Sequence, residues 1–570
     1  MINNKKQYFI ALPYVFMVTS ILAPCLLAAQ SSLEFQNLPT TANPARIHSL
    51  DHLNLPQKKS TKLVVPQIQS EVAIPESARH VRFVLNNIIL ENVSAFFENF
   101  VLPAYHPYLG HNITLDTIWK VANKITQDYQ ESGFFLSRAY VPAQEIDGGI
   151  VKIKAIEGFI ADVVLEDTSL SEYSLVRQLI TRIKAKKPVN IKDLESFMLQ
   201  MNALPGEEFR AVLDPVKNAE AGATQLLLRS IKETGRGSIN FDNFGSRFLG
   251  PYQAIATYQT SIVPLQQTTF SALTSIPTDE LKYAAFRHVI PIYPDWQIEL
   301  SASHVRSAPG SSLEPRNIKS SSTNLGIGIN WQPIRQRQEN LITSVMLNGN
   351  NINGDIFENS PLTRDRIRTI QGRLAYDTSD SWHGYNYIAF DATQGLELGG
   401  ASKVGDSNIS RANADPNFTT VQLNYTRQQA INNQWMAVGQ FSGQLASGAL
   451  FSAQEFGFGG QRFGRAYDPS EITGDHGAAA SLELRYLGFD KWQKITFSPY
   501  SFYDIGKVWN RDIDGINQSA SSAGLGLRFN HTNGFSGNVG LAWPLSKDIE
   551  NPTYGHQKNP RILLQIGHGF

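Results

Sequence analysis

Arg465 stands in a glycine-rich stretch, FGFGGQRFGRAYDPSEITGDHG, between Phe463 and Tyr467. A loop rich in glycine cannot fix an arginine by its backbone alone, so the guanidinium needs a carboxylate to hold it. Asp504, at the close of the strand-like run that ends in Phe502-Tyr503-Asp504, is the candidate partner. The chemistry this offers is a charge-paired anchor. It suits a loop held inside something rather than one waving in solvent.

Catalytic alternatives are weaker. Asp475-His476 lies near Ser470 and Ser481, but no Gly-x-Ser-x-Gly elbow accompanies it. Set between Asp475 and Gly477 in a polar run, His476 reads as a solvated loop histidine. The 12 histidines show no His-Glu-x-x-His spacing, and there is no phosphate-binding Walker loop. No catalytic, cofactor or metal site is therefore expected, and ATP is not the energy source. Acidic and basic residues are equal at 50 each, which gives no hint of a nucleic-acid partner.

The elements that must position Arg465 are strands. Leu482, Leu484 and Tyr486 alternate with Ser481, Glu483 and Arg485; Leu525, Leu527 and Phe529 alternate with Gly526, Arg528 and Asn530. Phe535, Val539, Leu541 and Trp543 oppose Ser536, Asn538, Gly540 and Ala542, and Ile562, Leu564, Ile566 and Phe570 share a face at the end of the chain. The same period of two appears upstream, in Leu325, Ile327, Ile329 and Trp331 against Gly326, Gly328 and Asn330. One reading is a soluble sandwich with its apolar face inward. The alternation runs on through the whole C-terminal half with no helix-period interruption, which suits a transmembrane barrel with lipid on one face and a polar lumen on the other. Trp331, Trp509, Trp543 and Phe570 fit interfacial girdles. At roughly 9–11 residues per spanning strand, residues 232–570 allow about 16 antiparallel strands. The polar stretches 306–322, 351–365 and 398–416 read as extracellular loops.

The N-terminus carries Lys5 and Lys6, an apolar run from Phe9 to Leu27, and the small residues Ala28-Ala29, the pattern of a secretory leader over 1–29. Cleavage there would remove Cys25, the one cysteine. Residues 30–80 are punctuated by Pro39, Pro44, Pro56, Pro66 and Pro75 and read as an extended arm, with a short helix within Ala45–Asn54. Residues 81–231 read as two α+β modules. The first has a strand over Val81–Leu90, a helix capped by Thr114 with Ile118, Ala122, Ile125 and Tyr129 on one face and Gly133 as its stop, and strands over Phe134–Val141 and Ile150–Ile156. The second has strands near Ala161–Leu165, Glu208–Leu213 and Thr224–Ser230, helices near Leu175–Ile183 and Ile191–Met201, and a turn at Pro205-Gly206.

Several motifs resemble the two-partner secretion transporters of Gram-negative outer membranes, the haemolysin-activator and filamentous-haemagglutinin transporter type. These are Tyr129-Gln130-Glu131-Ser132-Gly133-Phe134 with Ser137 to Gln144, Ile156-Glu157-Gly158, Leu204-Pro205-Gly206, Asp242 to Arg247, and Leu249-Gly250-Pro251. The resemblance covers nearly the whole chain. It implies a mostly β protein, with a C-terminal transmembrane barrel preceded by two polypeptide-transport-associated (POTRA) modules. The implied division is a leader at 1–29, a plug helix and linker at 30–80, modules at 81–157 and 158–231, and a barrel at 232–570. Gly464, Arg465, Ala466 and Tyr467 match the family's inward-folded loop motif, with Ala466 where glycine is usual, and Phe502 and Asp504 match its strand motif. The terminal Phe570 matches the signal read by the barrel-assembly machinery during insertion, although His568 stands where an aromatic is common. The implied partners are a large secreted β-helical protein and outer-membrane lipid. An insertase for other barrels and a passive porin are the alternative functions; a porin needs no such modules.

Overall fold

The computed structural model of the chain describes residues 40–46, 63–64, 74–94, 102–216, 219–233, 235–357, 360–489, 494–511, 517–549 and 556–570. The leader expected at 1–29 lies outside these residues, and so does the expected helix within 45–54 apart from Ala45 and Arg46. Of the arm, Thr40–Ala42 and Pro44–Arg46 form two short 3-10 turns, and Leu63–Val64 form strand β1.

The first module contains β2 (Arg82–Val84), β3 (Asn87–Glu91), β4 (Asn112–Thr114), helix α1 (Leu115–Glu131), β5 (Arg138–Tyr140) and β6 (Ile150–Ile156). Helix α1 forms because Ile118, Val121, Ala122, Ile125 and Tyr129 recur at helical spacing and bury one stripe against the sheet. The chain leaves it at Gly133, whose φ of 90° is open to glycine. Thr114 precedes the helix in an extended conformation but makes no side-chain capping bond. The expected strand over Val81–Leu90 is two strands. At Leu85 and Asn86 the backbone changes partner: Leu85 N–H donates to His111 O and Asn86 N–H to Gly149 O, while the Leu85 side chain is buried. The expected strand over Phe134–Val141 shrinks to Arg138–Tyr140, because Phe134 to Ser137 form a turn closing back on the helix end.

The second module contains β7 (Phe159–Leu165), α2 (Ser174–Lys184), α3 (Ile191–Met201), β8 (Glu207–Pro215) and β9 (Ala223–Lys232). Asn190 and Asp193 form a capping box at the start of α3. The sheet order is β1-β8-β9-β7, with β1 of the arm lying parallel on the edge of β8, Leu63 opposite Ala211 and Val64 opposite Val212.

The barrel begins with β10 (Arg236–Asp242), β11 (Gln253–Thr260), β12 (Gln267–Ser275), β13 (Leu281–Tyr293), β14 (Trp296–Ser307), β15 (Lys319–Arg335) and β16 (Glu339–Ile356). It continues with β17 (Ser360–Ser379), β18 (Gly384–Gly395), β19 (Thr419–Ala430) and β20 (Trp435–Ala446). Then comes an inserted pair, β21 (Phe456–Phe458) and β22 (Ile472–Gly474). The wall ends with β23 (His476–Tyr486), β24 (Ile495–Trp509), β25 (Gln518–His531), β26 (Phe535–Pro544) and β27 (Arg561–Gly569). All but the inserted pair close into a 16-strand antiparallel barrel. Leu325 and Ile327 face outward at 59% and 53% exposure, as an outer surface meeting lipid requires. Trp296 and Trp331 stack on the outer face with ring centroids 5.5 Å apart. The lumen is lined by hydroxyl and amide side chains such as Ser271, Asn324, Asn348, Gln371 and Gln422.

The stretch 351–365 is not a loop. β16 runs to Ile356 and β17 starts at Ser360, so this polar sequence is the tall end of a hairpin rising above the apolar band. Likewise Ser307 still belongs to β14 and Lys319 already to β15. Phe502 to Asp504 lie in the middle of β24, not at its end.

The second module is keyed into the near end of the barrel. Leu265, in the turn between β11 and β12, is buried in the hydrophobic core of that module although its φ is 60°. Asp295, in the turn between β13 and β14, accepts from Arg182 of α2 (2.7 Å) and Gln200 of α3 (3.1 Å).

Candidate functional site

The segment joining β20 to β23 folds into the lumen, carrying β21 and β22. Gly464, at φ 71°, turns the chain, and a Cβ there would strike the Phe458 ring. Ala466 has no positive φ and is buried, so alanine fits where the family motif has glycine.

Arg465 meets Asp504 through three hydrogen bonds. Its backbone N–H (3.0 Å) and Nε (3.1 Å) donate to Oδ2, and Nη2 donates to Oδ1 (2.9 Å). Asp504 is wholly buried and also accepts from Ser481 Oγ (2.7 Å) and Ser522 Oγ (3.3 Å), its direct cross-strand neighbours on β23 and β25. The Phe502 ring lies under the guanidinium, 3.5 Å from Cζ to the centroid, a cation–π contact. Arg465 Nη1 donates to Glu483, which Arg485 and Arg528 also engage. One loop arginine is thus held by two adjacent wall strands, β23 and β24. Burying these charges is costly, so their value is positional: removing one partner leaves the other uncompensated, at about 3–5 kcal/mol. Tyr467 is fully buried beside Phe458, and its hydroxyl donates to Ser521 O (2.9 Å).

Sequence reasoning missed three further groups. Asp468 and Glu471, at the returning end of the loop, hold Arg247 at 3.0 and 2.9 Å, and Asp468 also receives Arg561 at 3.1 Å. His476 is not a solvated loop histidine. Asp475 is fully buried, bound to Arg411 and to the backbone N–H groups of Leu450 and Arg511, while His476 opens β23 and accepts from Ala446 N–H. The arm also enters here. Arg46 donates to Ser470 Oγ (3.1 Å) and Glu455 O (2.8 Å), pairs with the Glu455 carboxylate, and Thr40 Oγ1 donates to Ser470 O (2.8 Å). The arm therefore rests on the inward loop. No local motif signals these contacts; the one available hint was the arginine in Asp242 to Arg247.

Phe570 lies at the opposite end of the wall. It extends the closing seam by exchanging backbone hydrogen bonds with Gly237 (2.8 and 2.9 Å), its ring faces outward, and it stacks on His568 at 6.3 Å. The seam itself pairs β10 with β27 only from Ser238–Gly569 to Asp242–Gln565.

Comparison with known proteins agrees with this architecture. A family model described as haemolysin secretion/activation protein ShlB/FhaC/HecB matches residues 227–529, and one described as POTRA domain, ShlB-type, matches 83–158. The heme/hemopexin transporter protein HuxB of Haemophilus influenzae is 24% identical over 467 residues, covering 78% of this chain and 80% of its own length. The outer membrane transporter CdiB of Dickeya dadantii is 21% identical over 462 residues, covering 77% and 78%. Among solved structures, CdiB from Escherichia coli superposes with a TM-score of 0.68 at 16% identity, over 90% of this chain and 94% of the other. BamA from Haemophilus ducreyi, lacking its POTRA domains 1–3, gives 0.51 at 11% identity, over 86% and 100%. At such identities these two structures speak for the fold.

Proposed function

The chain belongs to the haemolysin secretion/activation (ShlB/FhaC/HecB) family of outer-membrane transporters, and from that membership we propose how it works. A large partner exoprotein, long and β-helical once folded, arrives unfolded in the periplasm and docks on the two modules. It threads the barrel in extended form, displaces the arm and folds outside. Folding at the exit supplies the free-energy gradient, with no nucleotide and no catalytic step. In this reading residues 1–29 are the leader, 30–80 the plugging arm, 81–157 and 158–231 the docking modules and 232–570 the conduit.

One observation carries the proposal: the described part of the arm inside the barrel, Thr40–Arg46, is attached by side-chain bonds and is not built into the wall. Thr40–Arg46 rests on the inward loop through Arg46 and Thr40, and a segment held that way can be exchanged for a client. Docking by strand addition is supported by the sheet edges of the modules. The edge of β8 already carries β1, whereas β3 pairs only with β6 among the described strands.

The test is co-expression with a long secreted protein encoded beside this gene, with the client followed in the medium. Secretion should require the transporter and be lost without residues 81–231. Undiminished secretion without the transporter overturns the proposal. So does a primary loss of outer-membrane barrel assembly, which marks an insertase, or of small-solute uptake alone, which marks a porin.

A further inference from the structure

The outer face of the barrel changes from apolar to cationic over three successive rows at the end far from the modules. The register of β13 to β17 places outward side chains in rows across five strands. One row reads His288, Leu300, Ile327, Leu347 and Ile370, apolar and lipid-facing from β14 to β17. The next holds Phe286, Ala302, Leu325, Gly349 and Arg368; the one above it Ala284, His304, Thr323, Asn351 and Arg366; and the one above that Lys282, Arg306, Ser321, Asn353 and Arg364. On β17 the alternate residues Thr363, Asp365, Ile367 and Thr369 are buried, so the three arginines point outward together, at steps of roughly 7 Å.

These cations are held in place more than they are neutralised. Arg364 pairs with Asp355, and Lys282 with Asp279. Arg366 donates to Ile352 O, Asp365 O and Asn353 Oδ1, and Arg368 to Asn350 O, Ile367 O and Asn351 Oδ1, all uncharged acceptors. Arg306 donates to the His304 ring. Among the described residues, Arg306, Lys319, Arg366 and Arg368 form no ion pair with a carboxylate. Backbone bonds from the segment after β18 bracket the arginines, Leu396 N–H to Arg368 O and Ser402 N–H to Arg366 O, and leave Leu398 and Val404 exposed beside them.

We propose that this face binds the phosphate groups of the phosphorylated glycolipid of the outer leaflet. Oriented guanidinium groups present paired donors to phosphate oxygens, and they sit immediately above the lipid-facing row, at headgroup height. Apolar Leu398 and Val404 beside the charges suit a lipid better than a free anion. The site is independent of the secretion reading, since it faces away from the lumen.

The test uses the full-length protein purified in detergent, with native mass spectrometry counting bound diphosphoryl glycolipid. Fully dephosphorylated glycolipid should bind about tenfold more weakly, and Arg366→Gln/Arg368→Gln should lose about tenfold in affinity while Arg366→Lys/Arg368→Lys loses less. Heat-modifiable gel migration reports folding of each variant. Should the glutamine pair fail to fold, Arg306→Gln on β14, three strands along the same face, must still weaken binding. Unchanged binding by the folded variants overturns the proposal. Equal affinity for phosphatidylglycerol, or full competition by inorganic phosphate, overturns it too, by showing a generic anion surface.

Discussion

Arg247 and Arg561 approach from opposite sides of the barrel's closing seam and share one carboxylate, that of Asp468. Arg247 follows β10 and Arg561 begins β27, so the inward loop clamps the first and last strands together just past the point where their regular register ends at Asp242–Gln565 and Asn243 alone carries the bonding on to Leu564 and Ile562. All three side chains are at least nine-tenths buried. Asp468→Asn should therefore weaken closure, by about 3 kcal/mol. The measurement is the temperature at which the folded band disappears on a semi-native gel. No shift there would mean that the short seam needs no clamp.

Arg465→Ala and Asp504→Ala should each reduce secretion strongly while leaving the protein in the outer membrane. Because each side chain satisfies the other, the double substitution should be little worse than either single one. Strictly additive losses in a secretion assay, or normal secretion from both singles, would defeat the pairing.

Arg46→Ala removes the bonds to Ser470, Ser452 and Glu455 that seat the arm on the loop. The expected outcome is a higher open probability in planar lipid bilayers, with single-channel behaviour otherwise retained. Glu455 is a poorer target, because Arg411 also depends on it. Conductance indistinguishable from the parent would show that the arm is held by something else.

Glu207 of the second module is buried, one of its carboxylate oxygens has no hydrogen-bond partner, and burial pushes its titration upward. An acid with a raised folded-state pKa opposes folding once the pH exceeds the unfolded value, and that penalty is absent when it is protonated. Glu207→Gln should thus raise the thermal stability of the module at pH 7.5 and leave it unchanged at pH 4. Calorimetry at both pH values checks the sign; an equal gain at both would exclude ionisation as the cause.

The barrel was legible because alternation in a wall between lipid and lumen is written into neighbouring residues, as in Leu325 to Trp331. Helices α1 and α3 were legible for the same local reason, a repeating apolar stripe. Less visible was where a strand stops. Nothing in the type of Leu85 marks the point where the backbone exchanges partners, and 351–365 reads as loop because a strand standing above the membrane band no longer needs apolar residues. The charge groups were least visible. Arg247 and Asp468, 221 residues apart, and Arg46 and Glu455 carry no mutual signal along the chain. His476 looked like a solvated loop histidine because nothing nearby in sequence announces Arg411, which Asp475 binds, or the Ala446 N–H, from which the His476 ring accepts.

Leu265 bears on the order in which the molecule can be made. By sequence it belongs to the first hairpin of the barrel, and by packing to the interior of the second module. That module's interior is complete only after the chain beyond it has been delivered and turned back. The periplasmic half thus keeps an open notch in its interior until the first barrel hairpin closes it.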